Sequence, residues 1–556
     1  MTFFRTNKLP PSNDKLSGRY FTPPEIATFL CQWAIRTGSE TVLEPSCGNG
    51  RFVEAALSQA EATGGRSAKL TIVGVDIGQD DIEATRRISR RHKSLHKNSK
   101  FVCQDFFAFY SELPAQSKFD VVIGNPPFIR FQNFDTGGRD LAFDGLRRLG
   151  FHPTKLANAW AAFVHLSISL VRDGGRLAMA LPAELLQVQY AAELREQLAA
   201  VFDDIILIGF DELVFPEIQQ EIVLVLADGK RTAGSQKSAI HTVALKNELD
   251  LKRITLDDIR VEHLPKKHSR KGMKWTSLFL DDAEFDAIDS VEADVRIPRL
   301  GDFANVDVGV VTGRNAFFVI TKQLARAIDA ERFCIPVVGK TSALRSVKFG
   351  MTDFSDFEQR FPSMLLNLKD VSHVSFSKGL VDYIRQGEAA GVHSGYKCRI
   401  RKRWYDVPSV YVPDAFLFRQ IHTAAFLVLN NVRATSTDTV HRVRFKTKLK
   451  NRAKFCAASV NSLTFAWAEV AGRSYGGGVL ELEPNEAEQL PWPTEGLENL
   501  DAKKVDRLVR EGKLESALDY VDDVLLRKGL GISKEKLRLI RSAWRTLRER
   551  RRNRRG

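Results

Sequence analysis

Residues 120–128 of this 556-residue chain read Asp-Val-Val-Ile-Gly-Asn-Pro-Pro-Phe. The run Val121-Val122-Ile123 is β-branched and continuously apolar, which is typical of a strand covered by helices on both faces. Two successive prolines cannot continue a sheet, because proline donates no backbone hydrogen bond and fixes its own φ angle. The stretch therefore predicts a buried strand that ends in a rigid turn.

Similar apolar runs lie on both sides of this strand in the sequence, and they alternate with amphipathic segments such as 157–171 and 191–201. This alternation predicts a doubly wound α/β sheet. The tetrapeptide Thr22-Pro23-Pro24-Glu25 predicts a capped helix start ahead of the first strand. The expected strands are 41–44, 70–76, 100–105, 119–124, 176–181, 205–210 and 221–226.

A glycine-bearing turn is predicted after the first of these strands, where residues 42–52 read Val-Leu-Glu-Pro-Ser-Cys-Gly-Asn-Gly-Arg-Phe. Gly48 and Gly50 allow a sharp bend and let a ligand approach the backbone amides. A single Gly-x-Gly is a weak signal by itself. Glu44 precedes the turn and favours a ligand amino group over a phosphate. A ligand with an ammonium group and a ribose therefore fits this turn better than a pyrophosphate.

The next two strands also end in carboxylates, at Asp76 and Asp105. An acidic residue at the end of the second strand can accept hydrogen bonds from both hydroxyls of a ribose, although a solvated strand end is an equally good reading of Asp76 alone. Asp105 is placed to accept a hydrogen bond from an exocyclic amine. Phe106, which follows it, offers an aromatic ring to cover a purine.

The Asn-Pro-Pro-Phe turn is expected at the carboxyl end of its strand, where ligands bind in open α/β sheets. In such a turn the amide oxygen of Asn125 and the carbonyl of Pro126 point outward as two acceptors. Two acceptors match the two hydrogens of an exocyclic amine, and Phe128 offers a π face on which the ring bearing that amine can stack.

The order of these motifs resembles the gamma-class, TaqI-like N6-adenine DNA methyltransferases of restriction–modification systems. The resemblance is carried by Tyr20-Phe21-Thr22-Pro23, by residues 44–50 and 124–132, and by Val214-Phe215-Pro216. Later in the chain, residues 311–318 and 475–478 are similar to the markers that bound the target-recognition region of that family. Phe128 stands where tyrosine is commoner in the family, and both residues stack.

The resemblance implies a Rossmann-like seven-stranded methyltransferase sheet, a C-terminal α+β DNA-recognition domain and a helical tail. It implies S-adenosyl-L-methionine as methyl donor, no metal, and the N6 amine of a flipped-out adenine in double-stranded DNA as acceptor. Catalysis is assigned to Asn125, Pro126, Pro127 and Phe128, and contact with the target base to Phe128 and Phe215. The implied donor-binding residues are Tyr20, Thr22, Glu44, Pro45, Ser46, Cys47, Gly48, Gly50, Asp76, Asp105 and Phe106.

The formal net charge of the chain is +14, since 82 Lys and Arg face 68 Asp and Glu, and this favours a polyanionic partner. Residues that contact bases are expected among Lys397–Trp404 and Arg433–Lys448, whose Arg, Asn and Thr side chains suit base edges. The expected regions are a methyltransferase domain at 1–230, a linker at 231–290, a target-recognition domain at 291–495 and a basic helical segment at 496–556.

No stretch approaches eighteen consecutive apolar residues, and the six cysteines form no Cys-x-x-Cys pair. We therefore expect a cytoplasmic protein without a membrane partner. The family resemblance implies a monomeric bacterial protein that is associated with the nucleoid through DNA and paired functionally with a separate restriction endonuclease. The alternatives left open are an RNA adenine methyltransferase, a protein-glutamine methyltransferase and a catalytically inert DNA-specificity protein.

Overall fold

The computed structural model describes residues 22–129, 136–153, 158–215, 220–231, 238–292, 294–446, 449, 451–475 and 477–553. These residues divide into two compact units. The N-terminal unit holds the described residues up to Asp281 together with residues 474–478 and 550–553, and the C-terminal unit holds Asp282–Arg473 and Val479–Glu549. Among the described residues, no helix is long and apolar enough to cross a membrane.

The N-terminal unit is built on an eight-stranded sheet with the strand order β3-β2-β1-β4-β5-β7-β6-β8. Strand β7 runs antiparallel to both of its neighbours, and the other pairs of adjacent strands are parallel. All seven predicted strands are present. The strands are β1 Thr41–Glu44, β2 Thr71–Asp76, β3 Lys100–Cys103, β4 Phe119–Gly124, β5 Val171–Pro182, β6 Phe202–Phe210, β7 Ile222–Lys230 and β8 Ala239–Leu245.

The eighth strand, β8, was not expected, because it falls in the stretch 231–290 that the sequence predicts to be a linker. It pairs in parallel with β6 from Asp204↔Ala239 to Phe210↔Leu245. Polar residues interrupt its apolar pattern, so the sequence does not predict a buried strand there, although one of these residues, His241, is buried. The Nδ1 atom of His241 lies 3.1 Å from the carbonyl oxygen of Pro265, which gives this ring nitrogen a partner. The sheet therefore has eight strands rather than the seven expected.

Helices cover the central strands on both faces. Val42, Ile72 and Val121 belong to one hydrophobic cluster with residues of the first two helices, and their neighbours Leu43 and Val122, which point to the other face, are fully buried as well. The helices of the N-terminal unit are α1 Pro24–Ala34, α2 Arg51–Gly64, α3 Gln79–Ser89, α4 Lys93–His96, α5 Phe106–Glu112, α6 Thr136–Arg148, α7 Ala159–Leu170, α8 Glu184–Gln187 and α9 Ala192–Val201.

The start of α1 differs from the sequence prediction. Pro23 is the N-cap residue and Pro24 the first helical residue, and no side chain caps the helix. The predicted capping role of Thr22 is therefore wrong, because the helix begins one residue too late for its hydroxyl to reach the free amides. This leaves the Thr22 side chain available for another contact.

The C-terminal unit is α+β, as expected. Its larger sheets have the orders β10-β13-β11-β17 and β12-β16-β14-β18-β9. Its strands are β9 Ala304–Asp307, β10 Val319–Ile320, β11 Cys334–Val338, β12 Lys348–Phe349, β13 Met364–Leu366, β14 Ala415–Phe418, β15 Gln420–Ile421, β16 Leu427–Asn430, β17 Thr435–Ser436, β18 Val440–Phe445, β19 Arg473–Tyr475 and β20 Val479–Glu481. Its helices are α10 Asp282–Glu292, α11 Leu300–Phe303, α12 Asn315–Phe318, α13 Lys322–Ala327, α14 Met351–Glu358, α15 Lys378–Ala389, α16 Tyr396–Arg399, α17 Arg452–Ala457, α18 Ser462–Ala471, α19 Pro484–Glu488, α20 Ala502–Arg510, α21 Leu514–Val521 and α22 Lys534–Asn553. Residues 474–475 of β19 and 550–553 of α22 are assigned to the N-terminal unit.

The stretch 474–478 includes the second predicted marker of the recognition region, yet it belongs to the N-terminal unit. There the Ser474 hydroxyl donates to Glu221 Oε1 over 2.7 Å. The stretch therefore packs with the strand region around β7, more than 240 residues earlier in the chain.

Candidate functional site

The candidate site lies where the strand order of the N-terminal sheet reverses. Strand β1 pairs in parallel with β2 on one side and with β4 on the other. The carboxyl ends of these three strands therefore meet at one edge, which is where open α/β sheets bind ligands. Glu44, Asp76 and Gly124 are the last residues of the three strands, so the structure brings together three of the predicted motifs.

Asn125 follows Gly124 and contacts two other predicted site residues. Its Nδ2 donates to Thr22 Oγ1 over 3.1 Å, and its carbonyl oxygen accepts from the Ser46 hydroxyl over 3.2 Å. Its Oδ1 is buried without a hydrogen-bond partner. A buried acceptor left unpaired costs about 1–3 kcal/mol, and at this edge of the sheet a ligand donor would satisfy it.

The contact between these turns needs a glycine at position 124. Gly124 has a φ of +153°, a backbone conformation that other residues rarely adopt. A Cβ placed there would lie 3.6 Å from Glu44 Cγ and from Pro45 Cδ, which is ordinary contact. Backbone conformation rather than lack of space therefore explains the glycine before the Asn-Pro-Pro-Phe turn.

The glycine turn after β1 is held by its neighbours and open on one side. Asp76 accepts from the amides of Gly48 and Gly78, each over 2.8 Å, and Thr85 Oγ1 donates to the Gly48 carbonyl over 2.9 Å. Gly48 has a φ of +47°, and nothing lies within 4 Å of where its Cβ would be. Each carboxylate oxygen has two acceptor positions, so Asp76 keeps capacity for hydroxyl groups of a ligand.

The second glycine of the turn, Gly50, has no room for a side chain, in contrast to Gly48. Its φ is +86°, and a Cβ there would lie 2.8 Å from Thr85 Oγ1. The turn therefore packs directly on α3 at Gly50 while it stays open at Gly48.

The electrostatics of the site favour a cation. Glu44 is 1% exposed, and its Oε2 is buried without a hydrogen-bond partner. Burial, together with the nearby negative charge of Asp76, raises the pKa of Glu44 well above its usual range. A ligand ammonium group would pair with this carboxylate and offset both effects, whereas a phosphate would be repelled.

The remaining predicted donor-binding residues have mixed environments. Pro45 and Cys47 are buried, and burial raises the pKa of the Cys47 thiol, so this residue is inert packing at the back of the turn. Asp105 Oδ1 caps α5 by accepting from the amides of Phe107 and Ala108. Tyr20 lies outside the described residues.

The ring of Phe106 lies in the core rather than across an open site. It is 2% exposed and stacks on Phe163 with the ring centroids 4.9 Å apart. This burial leaves little of the ring surface to contact a ligand.

Ile77 is a candidate that the sequence analysis missed. It follows Asp76 directly and is 65% exposed, which places an apolar surface beside the carboxylate predicted for a ribose. Such a side chain suits the face of a base attached to that ribose. The signal in the sequence is an apolar residue immediately after a strand-ending carboxylate.

The two predicted base-contacting rings share one cluster. Phe128 is partly exposed and packs against the hydrophobic cluster that contains Phe215, which is 8% exposed. Pro126 is buried, and the carbonyl oxygen of Pro127 accepts from the Ile129 amide over 3.1 Å. The Asn-Pro-Pro-Phe turn is thus fixed from both sides, with Phe128 left partly open.

Family comparison agrees with this site. Residues 6–299 match the model of the N-6 DNA Methylase family, and residues 272–526 match the C-terminal domain of Type II methyltransferase M.Eco57I. The chain belongs to the N-6 DNA Methylase family. It is a DNA methyltransferase, and this family membership disfavours the RNA, protein-glutamine and inert alternatives.

Full-length relatives support the assignment to restriction–modification systems. The chain is 21% identical over 490 residues to Type II methyltransferase M.AccI of Acinetobacter calcoaceticus, an alignment that covers 85% of this chain and 84% of the relative. It is 22% identical over 491 residues to M.XamI of Xanthomonas campestris pv. amaranthicola, covering 87% and 86%.

Two solved structures have a similar fold. One is the Type IIL restriction-modification enzyme MmeI in complex with DNA, with a TM-score of 0.57 and 11% identity, covering 94% of this chain and 75% of that one. The other is a DrdV–DNA complex, with a TM-score of 0.52 and 12% identity, covering 90% and 57%. At these identities the likeness concerns the fold.

The raised pKa of Glu44 gives a stability prediction. The folded chain binds the Glu44 proton more tightly than the unfolded chain does, so stability is lost as the pH rises above the ordinary glutamate pKa of about 4 to 5 towards the raised pKa of the folded chain. Glu44→Gln cannot ionise. We expect its Tm to exceed that of the wild type at about pH 8, with the difference shrinking towards about pH 5.

Differential scanning fluorimetry across this pH range measures the effect. Glu83→Gln, at an exposed position of α3, is the matched control and should follow the wild type at every pH. A Glu44→Gln curve parallel to the wild-type curve would show that Glu44 is not the buried, titrating group.

Proposed function

We propose that this DNA methyltransferase transfers a methyl group from S-adenosyl-L-methionine to the N6 amine of an adenine swung out of duplex DNA. The observation that carries the proposal is the buried Asn125 Oδ1, which has no hydrogen-bond partner and adjoins the turn that holds Glu44 and Ser46. An acceptor in this position suits an amine hydrogen.

The donor-binding role rests on the fit of the residues to the molecule. Glu44 would pair with the ammonium group of the methionine end, Asp76 would accept from the ribose hydroxyls, and Ile77 would face the adenine ring. The backbone from Pro45 to Gly50, with Thr22, would line the methionine end. We assign Tyr20, Asp105 and Phe106 to the same molecule on the family resemblance.

The chemistry follows from the two acceptors of the rigid turn. An adenine amine is a poor nucleophile because its lone pair is delocalised into the ring. When Asn125 Oδ1 and the Pro126 carbonyl accept its two N–H groups, they favour a tetrahedral nitrogen and return the lone pair for attack. The bound donor supplies an electrophilic methyl carbon on a sulfonium, so a nitrogen–carbon bond forms while the carbon–sulfur bond breaks.

Two aromatic rings stabilise the charge on the base, and water takes up the proton that is released. Phe128, stacked on the base, stabilises the positive charge that develops there, and Phe215 supports the base from the same cluster. The sulfur keeps the bonding electron pair, and the methylated nitrogen loses its proton to water. No general base is required, because the proton leaves to water only after the nitrogen–carbon bond has formed, and positioning lowers the barrier to forming that bond.

An adenine inside a duplex is stacked and paired, so it must be extruded at a cost of a few kcal/mol. We infer that the chain acts as a monomer and that contacts with phosphates offset this cost. We also propose that the methylation protects DNA from a separate restriction endonuclease, as the Type II names of the relatives suggest.

The direct test is to incubate plasmid DNA with methyl-labelled S-adenosyl-L-methionine, hydrolyse the DNA to nucleosides and identify the labelled product. We expect N6-methyladenine at one short sequence. Parallel incubations with bacterial RNA and with total protein should take up no label. Label in cytosine, RNA or protein would contradict the adenine assignment.

Replacing the acceptor tests the site. We expect Asn125→Ala to lower the transfer rate by at least about 10²- to 10³-fold, the scale seen when one transition-state hydrogen bond is removed. Binding of DNA and of S-adenosylhomocysteine should change little, because phosphate contacts supply most of the DNA affinity and Glu44 and Asp76 provide the main contacts to the donor product. Single-turnover kinetics and fluorescence titrations measure the three quantities.

Asn367→Ala is the matched control for this variant. Asn367 Oδ1 is likewise buried without a hydrogen-bond partner, but the residue lies in the C-terminal unit. This control should keep the wild-type rate. Full activity of Asn125→Ala would refute the role given to Asn125.

DNA affinity should fall steeply with salt, since phosphate contacts release counterions. With about six to ten phosphate contacts, affinity for a duplex is expected to fall by about 10³- to 10⁵-fold between about 50 and about 200 mM salt. Fluorescence anisotropy measures the slope. A flat salt response would argue against a duplex DNA substrate.

A further inference from the structure

A basic stretch of the C-terminal unit stands out for its lack of acidic residues. Residues 389–405 lie between Glu388 and Asp406 and contain no carboxylate. The stretch carries five cations, which are Lys397, Arg399, Arg401, Lys402 and Arg403.

Two of these cations donate to backbone carbonyls of the same unit and so fix the position of the stretch. Arg401 Nη2 donates to the carbonyl oxygens of Val311 and Thr312 over 3.0 and 2.8 Å. Arg403 donates to the carbonyl oxygens of Val371 and Leu368 over 2.7 and 3.0 Å. Within the segment 397–404, where base-contacting residues are expected, Arg401 and Arg403 therefore use their guanidinium groups on backbone carbonyls.

The outer face of the stretch is formed by helix α16 and the residue after it. Tyr396, Arg399 and Ile400 are spaced for one face, while Cys398 is buried beneath them. Tyr396 is 65% and Ile400 61% exposed. Lys397 and Lys402 are exposed as well. Two large apolar side chains thus stand in solvent among three cations.

The outer face packs on residues 311–318, the first of the two segments that resemble family markers. Gly313 has a φ of +84°, and a Cβ there would lie 2.9 Å from Lys397 Cβ, so only glycine lets the two segments pack this closely. Trp404 packs on Phe317, with the ring centroids 4.9 Å apart. The backbone of this face is therefore held rigidly, so less conformational entropy is lost when the face binds a partner.

The other basic stretch expected to contact bases, 433–448, is largely used internally. Arg442 donates to the carbonyl oxygens of Val308 and Ser409. Arg444 pairs with Asp307 over 3.5 Å, and its guanidinium lies 4.5 Å from the ring centroid of Tyr411. Residues 447, 448 and 450 lie outside the described residues.

We propose that residues 396–402, here called the 396–402 surface, read the DNA sequence, with Arg399 as a specificity-determining residue. Lys397 and Lys402 bind phosphates, and the face of Tyr396, Arg399 and Ile400 enters a groove. Arginine donates two hydrogen bonds to guanine O6 and N7, and apolar side chains contact the thymine methyl group. This inference rests on the proposed function, since it assumes that duplex DNA is the substrate.

The lysines are tested by Lys397→Ala/Lys402→Ala. Loss of two phosphate contacts should reduce the slope of log affinity against log salt by about 1.8 and leave the methylated sequence unchanged. The matched control is Lys503→Ala/Arg507→Ala, which removes two exposed cations from α20. The control should keep the wild-type slope, and thermal melts should show all variants folded.

Arg399 is tested by mapping methylated adenines on the same plasmid. Arg399→Ala should methylate sites in which one base pair of the recognition sequence is changed. Its preference for the correct base pair over the other pairs at that position should fall roughly 10- to 100-fold. Arg399→Lys should not restore it, because lysine lacks the planar pair of donors. The Lys503→Ala/Arg507→Ala control should give the wild-type site.

These experiments distinguish a failure of the proposed function from a failure of the role given to the 396–402 surface. If the wild type methylates plasmid adenines and the variants of the 396–402 surface match the control in salt slope and in methylated site, this inference is overturned while the proposed function stands. If the wild type labels no plasmid adenine, the proposed function fails and this inference fails with it.

Discussion

Strand β1 hydrogen-bonds in parallel to β2 on one side and to β4 on the other, and the candidate site depends on both pairings. The register sets Glu44 opposite Gly74 and Leu43 opposite Val122. A slip of one residue would exchange the two faces of the strand and disrupt the packing of Val42 and Leu43, which are buried on opposite faces, so the register is strongly fixed. Because it is fixed, the loops after the three strands meet at one edge, and Asn125 reaches Thr22 and Ser46.

The same edge contains groups that are costly for the free protein. Asn125 Oδ1 and Glu44 Oε2 are buried without hydrogen-bond partners, and the pKa of Glu44 is raised. The glycines at 48, 50 and 124 hold the backbone at positive φ. Such departures from ordinary packing collect where a protein binds or reacts, because a ligand satisfies what the fold leaves unpaired. A cationic methyl donor and an amine-bearing base have the groups that these two atoms lack.

The C-terminal unit shows that arginine in the sequence is a poor guide to surface charge. Burial lowers the pKa of Arg401 and of Arg442, and both donate to backbone carbonyls. Both guanidinium groups hold backbone segments that lie outside the strands of this unit. In the stretch 396–402 the exposed cations are Lys397, Arg399 and Lys402.

Seven strands, the glycine turn and the Asn-Pro-Pro-Phe corner could be predicted without a structure, because neighbouring residues encode each of them through apolar runs, glycine φ angles and proline geometry. Four features became visible only in the folded chain: Thr22 accepts from Asn125 instead of capping a helix, β8 joins the sheet, the ring of Phe106 packs in the core, and Arg401 and Arg403 donate to backbone carbonyls. Each of these depends on a partner distant in the chain, and local sequence does not specify which distant backbone or side chain will lie within hydrogen-bond distance.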